Sequence, residues 1–215
     1  MSQSNIVFSF VKKIRNKLAS IAFGFVKEKR SLDVIADCLE LLEREGAQPF
    51  LAYGTALAVF RGNTIIFKHD TDCDLGIRIE NWNPAIVQKL INKGYEIIHE
   101  LGTLQHGYEL SIRKNQVKID LFMFYTSKSR TWNCLWDLPD SATGVRRPIY
   151  HTYDHEIIEG RRWVQLEDKK LPVLQNLEKY IVAVYGPDWR IPVLKWDWRT
   201  DHHCLDKTFI PDEQR

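Results

Sequence analysis

The chain has 215 residues, 44% of them hydrophobic and 12% aromatic, which is enough to bury one ordinary core. Its 30 basic and 28 acidic residues leave a formal charge of +2, so no global charge imbalance points to nucleic acid as a partner. We expect no nucleic-acid binding, and any charge-dependent function must come from local clusters. The four cysteines show no paired spacing and no cleavable signal sequence precedes them, which favours free thiols and a cytoplasmic location.

Residues 5–27 carry apolar side chains at helical spacing, with lysine and arginine mostly elsewhere on the helix. No apolar run in the sequence reaches the roughly 20 residues that a membrane span needs. The pattern predicts an amphipathic helix within residues 1–30, followed by a single domain over residues 31–215. Packing on its own domain or on a partner chain is the commoner use of such a helix. Peripheral contact with the inner face of a membrane through residues 5–27 is the alternative.

Helix and strand patterns alternate in the first half of the chain. Ser31 is the predicted N-cap of a helix that ends at Gly46, with an apolar stripe formed by Leu32, Ile35, Leu39 and Leu42. The sequence "PFLAY" predicts a short strand, and "GTALAVFRG" predicts a tight turn into a helix whose N–H groups Thr55 caps. "DCDLGIRI" predicts a second strand. Asn83 begins the next helix, which Gly94 ends.

The second half is richer in strands. "YEIIHEL", "HGYELSIRK" and "VKIDLFMFY" predict three strands, the last two joined by a short turn at 114–116. Residues 126–155 show no clean period and are predicted to be a loop, and "HEIIEG" with "RRWVQL" predicts a hairpin around Gly160. "VLQNLEKYIVAVYG" predicts a last helix that stops at Gly186. This order predicts an α+β fold, with a mixed, mostly antiparallel sheet packed with helices.

Three carboxylates interrupt predicted strands. Asp72 and Asp74 lie two residues apart and therefore project from the same face, while Asp120 stands in the otherwise apolar "VKIDLFMFY". If the two strands are neighbours, the three carboxylates surround one point, and such hard oxygen donors suit Mg²⁺. The N–H groups of the turn at Gly54 and Thr55 are then placed to bind a phosphate oxygen. The alternative is that these aspartates are solvent-facing residues of an edge or a turn.

Weaker signals concern cations and histidines. Arg61 is a candidate clamp for a phosphate, although a solvated arginine at a helix end is as common. The basic pair Arg146–Arg147 also suits an anionic glycan or phosphate, against a default of solvated residues. His202, His203 and Cys204 raise the question of zinc, but adjacent ligands without a matching second pair are poor zinc spacing, which favours a loop or an interface.

The order of these motifs resembles the LicD and fukutin-like branch of the nucleotidyltransferase superfamily. "YGTALAVFRGNTIIFKHDTDCDLGI" is similar to the branch's Gly-Thr turn and aspartate run, "VKIDLFMFY" to its later strand with a single Asp, and "YGPDWRIP" to its terminal motif. The similarity runs from about Leu41 to Pro192. The chain departs from the pattern at Lys68 and His69, where Pro-Trp is usual, and at Thr71, where Asp is common.

The resemblance implies a nucleotidyltransferase-like fold and a magnesium-dependent phosphotransferase. Members of this family transfer a phospho-alcohol, such as phosphocholine or ribitol phosphate, from a CDP-linked donor to a glycan hydroxyl. It therefore implies a CDP-activated alcohol donor, a glycan or glycolipid acceptor, and modification of a cell-surface polysaccharide or its precursor. Asp72 and Asp74 would bind the Mg²⁺, and Asp120 would complete that site or accept the proton of the acceptor hydroxyl. Asp70 would lie beside them.

Two alternative functions are consistent with the same residues. A nucleotidyltransferase would move a nucleoside monophosphate onto a small molecule, a protein or RNA, and the carboxylate triad does not separate it from a phosphotransferase. The terminal "YGPDW" favours the phosphotransferase. A non-catalytic module for binding nucleotides or glycans would retain the fold, although none of the expected carboxylates is missing.

Overall fold

A computed structural model describes residues 27–67 and 70–211. The amphipathic helix expected at 5–27 lies outside these residues apart from Lys27, so membrane contact through it stays a prediction. Within the described ranges, no helix combines the length and hydropathy that a membrane-spanning segment requires. All four cysteines are free and buried.

Helices pack around a central sheet. In the described ranges they are α1 (27–44), α2 (Tyr53–Gly62), α3 (Ala85–Asn92), α4 (His155–Ile158), α5 (Leu177–Tyr185) and α6 (Trp198–Asp201). The predicted apolar stripe of α1 is confirmed, because all four of its residues are buried in the core. Gly46 ends this region with a φ of 77°, a conformation that glycine adopts without strain.

The strands form one sheet of seven and a separate hairpin. Their bounds are β1 (Phe50–Leu51), β2 (Asp72–Arg78), β3 (Glu96–Thr103), β4 (His106–Lys114), β5 (Val117–Thr126), β6 (Thr131–Trp136), β7 (Pro148–Tyr153), β8 (Arg161–Leu166) and β9 (Lys169–Leu174). The large sheet has the order β1-β2-β5-β4-β3, with β6 pairing β5 and β7. Only the β2–β5 pair is parallel among its described strands. The predicted α+β fold with a mixed, mostly antiparallel sheet is confirmed.

Ser31 does not cap α1, contrary to the prediction. The helix already includes residue 27, and Ser31 lies buried inside it with 2% of its surface exposed. A serine is a useful N-cap only where free N–H groups begin a helix, and those groups are already bonded here.

The prediction that residues 126–155 form a loop is wrong. They contain β6 and β7, an antiparallel pair that extends the sheet from β5. β6 is buried at nearly every position, so its sequence "TWNCLW" shows no alternation of apolar and polar residues. Residues 137–147, between the two strands, lack helix and strand structure, as predicted.

The predicted hairpin around Gly160 is also wrong. "HEII" forms α4, and β8 pairs instead with the strand that follows it, Leu166 opposite Lys169. That second strand contains Pro172, a residue that weakens any sequence-based strand prediction. Because β9 takes the first residues of the predicted last helix, α5 begins only at Leu177, although it stops before Gly186 as predicted.

Candidate active site

The two carboxylate-bearing strands are parallel neighbours at the centre of the sheet. Asp74 of β2 lies opposite Asp120 of β5, and Asp72 lies opposite Lys118. The expectation that the strands pair and bring the three aspartates together is confirmed. This pairing requires a crossover through α3, β3 and β4, since parallel strands cannot be joined by a tight turn.

The turn at Gly54 and Thr55 forms two hydrogen bonds with Asp74. The N–H of Gly54 donates to Asp74 Oδ2 at 3.0 Å, and the N–H of Asp74 donates to Thr55 Oγ1 at 2.8 Å. Thr55 therefore does not cap α2, as was predicted from the sequence, because its hydroxyl is used by the neighbouring strand. A side chain at position 54 would approach Asp74, since an added Cβ would lie 3.3 Å from Oδ2. Glycine thus lets the backbone come close to the carboxylate.

Lys118 links the carboxylates of the two strands. Its Nζ lies 2.7 Å from Asp120 Oδ2 and 3.4 Å from Asp72 Oδ2. Burial disfavours the charged ammonium, but the Asp120 and Asp72 carboxylates outweigh it and raise the pKa of Lys118. Burial, and then repulsion from Asp72 and Asp120, raises the pKa of Asp74 well above its ordinary value. The single ammonium of Lys118 therefore does not balance the charge of three ionised carboxylates at Asp72, Asp74 and Asp120.

A series of polar side-chain contacts extends from β3 and β4 to Asp120. Ser111 donates a hydrogen bond to Asp120 Oδ1, and its Oγ lies 2.7 Å from His99 Nε2. The same nitrogen lies 3.3 Å from Glu109 Oε1. Burial, reinforced by repulsion from Asp120, raises the pKa of Glu109 to about 7, whereas burial lowers the pKa of His99. This carboxyl group can therefore take up or release a proton near neutral pH.

The sequence analysis missed Glu109, His99, Ser111 and Lys118. Two of them, Ser111 and Glu109, could have been found from the strand pairing that the predicted turn at 114–116 implies. A turn of this length places Lys114 opposite Val117 and hence Ser111 opposite Asp120, as the structure has them. Alternation along β4 then puts Glu109 on the same face as Ser111.

The aspartates, His99, Glu109 and Lys118 line one cavity of about 430 Å³, which we call the carboxylate cavity. Its charged side chains are five carboxylates and two cations, namely Asp70, Asp72, Asp74, Glu109, Asp120, Lys118 and Arg146. Its wall also includes three tryptophans, Trp136, Trp196 and Trp198. The excess of oxygen donors fits a divalent cation of the hard class, for which Mg²⁺ is the natural occupant. The aromatic wall fits a flat base or a sugar ring.

Only some of the remaining predicted site residues line the carboxylate cavity. Gly54 and Asp70 line the carboxylate cavity, and Thr55 lies behind it. Arg61 is not among the lining residues, because its guanidinium donates to the main-chain carbonyl of Trp189 and lies 5.8 Å from the ring centre of Phe67. Arg146, from the basic pair considered in the sequence, does line the cavity.

Two of the curated relatives similar to this chain are ribitol-5-phosphate transferases called FKTN. The mouse protein is 30% identical over 178 residues, and the human protein is 29% identical over 186 residues. The aligned residues cover 82% and 86% of this chain but only 37% of either relative. The chain thus spans little more than a third of the curated relatives it matches.

One solved structure overlaps in part with this fold. It is the lincomycin-bound crystal structure of the lincosamide antibiotic adenylyltransferase LnuA, at 15% identity and a TM-score of 0.44. The overlap covers 71% of this chain and 83% of that one. The family model for the LicD/FKTN/FKRP nucleotidyltransferase domain, in contrast, matches residues 46–173, which include Gly54, the aspartates and Glu109. The chain belongs to this LicD/FKTN/FKRP family.

Proposed function

We propose that the chain is a magnesium-dependent phosphotransferase that moves a phospho-alcohol from a CDP-linked donor to a hydroxyl of a glycan or glycolipid. The observation that carries the proposal is the pairing of Asp74 with Asp120 beside Asp72 and the Gly54 N–H, in a cavity with excess negative charge. Membership of the LicD/FKTN/FKRP family and the similarity to ribitol-5-phosphate transferases support the transfer of a phospho-alcohol.

Asp72, Asp74 and Asp120 would hold the Mg²⁺. All their donors are carboxylate oxygens, the ligand type that Mg²⁺ takes in preference to nitrogen or sulfur. When bound, the ion neutralises negative charge on the diphosphate oxygens of the donor. The Gly54 N–H orients Asp74, and the Lys118 ammonium bridges Asp72 and Asp120. Arg146, rather than Arg61, is the arginine placed to contact a phosphate in the cavity.

Glu109 is the proposed general base. The acceptor hydroxyl oxygen would form a bond to the phosphorus that carries the alcohol, and the bond from this phosphorus to the bridging oxygen of the diphosphate would break. CMP then leaves, and the hydroxyl proton passes to Glu109. Both oxygens of Asp120 already accept hydrogen bonds, from Ser111 and Lys118, which makes Asp120 the poorer base. A pKa of about 7 suits Glu109 to accept a proton at neutral pH.

Calorimetric titration of the purified chain with donors tests the proposal. CDP-ribitol, CDP-choline, CDP-glycerol, CTP and ATP are each titrated with and without Mg²⁺, and any hit is repeated with Asp74→Asn. We expect magnesium-dependent binding of a CDP-alcohol that the variant loses. Preference for a triphosphate would favour a nucleotidyltransferase instead, and binding that is indifferent to Mg²⁺ and to Asp74→Asn would contradict the metal assignment.

A further inference from the structure

A second group of metal-ligating side chains lies outside the carboxylate triad. His151 on β7 meets His202 and Cys204, which follow α6, and we call these three residues the His–Cys cluster. The chain brings them together by running its C-terminal segment along β7. The N–H of Thr152 donates to the carbonyl of Cys204 at 2.9 Å, and His151 forms an isolated bridge with Leu205. The positions of the three side chains are therefore set by main-chain hydrogen bonds.

Two buried nitrogen atoms of this cluster have no hydrogen-bond partner in the part of the chain that the structure describes. They are His151 Nε2 and His202 Nδ1, on side chains with 0% and 5% of their surface exposed. A buried polar atom without a partner destabilises the folded state, because it has lost its hydrogen bonds to water and gained none in return. Native proteins rarely tolerate this cost, and a bound ion is one way in which they avoid it. Two such nitrogens in neighbouring rings, whose centres are 4.9 Å apart, point to one shared ligand.

The atoms that the cluster offers to a metal indicate which ion would bind. One ligand atom from each of His151, His202 and Cys204 lies within 4.8 Å of the others, which gives two nitrogens and one sulfur. We propose that the His–Cys cluster binds one zinc ion, with water as the fourth ligand. Two imidazoles and a thiolate suit zinc and do not suit Mg²⁺, which prefers oxygen. The proposal does not rest on the proposed function, because it concerns metal binding by other residues.

The surroundings of the cluster match those of a zinc site. Histidines that bind metals usually use their second ring nitrogen in a hydrogen bond that fixes the ring. The other nitrogen of His151, Nδ1, lies 3.0 Å from the hydroxyl of Tyr53.

The zinc ion would tie the C-terminal segment to the carboxylate cavity. The ring of Tyr53 stacks on His202 at a centre-to-centre distance of 5.3 Å and an interplanar angle of 5°. Tyr53 directly precedes Gly54, and both Tyr53 and His202 line the carboxylate cavity. Fixing His202 thus fixes one wall of the cavity and the start of the Gly-Thr turn.

Zinc analysis of the full chain tests this site. Wild-type protein is stripped with a chelator, titrated with Zn²⁺ in the presence of excess Mg²⁺, and then titrated separately with Co²⁺. We expect one tightly bound zinc per chain and, for cobalt, the charge-transfer absorption of a thiolate ligand. No zinc retained beside excess Mg²⁺, or a cobalt spectrum without the thiolate band, would overturn the proposal even if no variant folds.

Variants assign the site to its residues. Cys204→Ser is expected to weaken zinc binding by more than about 100-fold, since loss of even an outer-shell partner costs 10–100-fold. Cys134→Ser is the matched control, because Cys134 is also buried but donates to the carbonyl of Leu135. Asp74→Asn must keep the zinc, which separates this site from the carboxylate triad. Unchanged zinc affinity in folded Cys204→Ser would contradict the assignment.

Discussion

The carboxylate cavity and the His–Cys cluster are joined through Tyr53, which lines the first and hydrogen-bonds with the second. The cavity presents five carboxylates, most of them partly exposed, against two cations. The cluster presents two uncharged imidazoles and a thiol, all buried. The difference teaches that one small domain can place an oxygen-rich set of side chains and a nitrogen–sulfur set on either side of Tyr53, and that these two donor sets favour different kinds of ion.

Asp74→Asn separates the two regions most sharply. We expect phosphotransfer to fall by about 10³-fold, equivalent to roughly 4 kcal/mol of lost charge stabilisation in the transition state. Folding is expected to be preserved, because the neutral amide removes repulsion from Asp72 and Asp120. CMP release is the measurement, with Asp168→Asn on the exposed turn between β8 and β9 as control. Wild-type turnover in Asp74→Asn would contradict the role of the carboxylates.

Glu109→Gln tests the electrostatics of the cavity through pH. The pKa of Glu109 is raised from 4.5 to about 7 in the folded state, so its contribution to stability is present below about pH 4.5 and is lost as the pH rises through 7. The glutamine variant does not lose this stability, because its amide does not ionise. Its unfolding free energy relative to wild type should therefore rise by roughly 3 kcal/mol over that window. Chemical unfolding with a chelator present measures it, and parallel pH curves would contradict the raised pKa.

Lys118→Gln tests whether an ammonium and a divalent cation serve the same carboxylates. Removing the ammonium from Asp72 and Asp120 is expected to lower the unfolding free energy by about 2 kcal/mol without metal. Mg²⁺ should restore part of this loss. Lys114→Gln is the matched control, since Lys114 pairs with Asp37 at 2.8 Å away from the cavity. Equal magnesium rescue of both variants would show that the ion does not act at the carboxylates.

Gly54→Ala has the smallest expected effect. The added Cβ would lie 3.3 Å from Asp74 Oδ2 and 3.7 Å from Asp70 Oδ2, so it would crowd the cavity while leaving the fold intact. We expect donor binding to weaken up to about tenfold, or roughly 1.4 kcal/mol. Gly62→Ala is the control, because its Cβ would meet only Thr64 and Phe67. Calorimetry decides, and equal donor affinity in the two variants would contradict the close approach at Gly54.

The carboxylate triad could be predicted from the sequence, because each aspartate is recognisable from the residues directly around it. Asp72 and Asp74 share a face through strand alternation alone, and Asp120 stands out in an apolar strand. Their meeting depends on a parallel pairing that the sequence leaves conditional and the structure confirms. Arg61 shows the limit of this reasoning, since its helix is predicted correctly but its guanidinium contacts Trp189 rather than the cavity.

The His–Cys cluster was out of reach of the sequence for a physical reason. His151 precedes His202 by 51 residues and lies on β7, a strand in a region predicted to be a loop. Spacing rules for zinc require ligands in nearby pairs, whereas here a C-terminal segment folds back along the sheet. Only the tertiary structure replaces His203, the sequence candidate, with His151.

The most direct test of the central claim is which product leaves when a nucleotide donor reacts. Wild-type chain is incubated with Mg²⁺ and a glycan acceptor, and with either CDP-ribitol or CTP, while CMP and pyrophosphate are quantified. Magnesium-dependent release of CMP from CDP-ribitol, matched by phospho-ribitol on the acceptor and lost in Asp74→Asn, is the predicted result. Release of pyrophosphate from CTP with transfer of the nucleotide, and no reaction of CDP-ribitol, would contradict the proposed phosphotransferase.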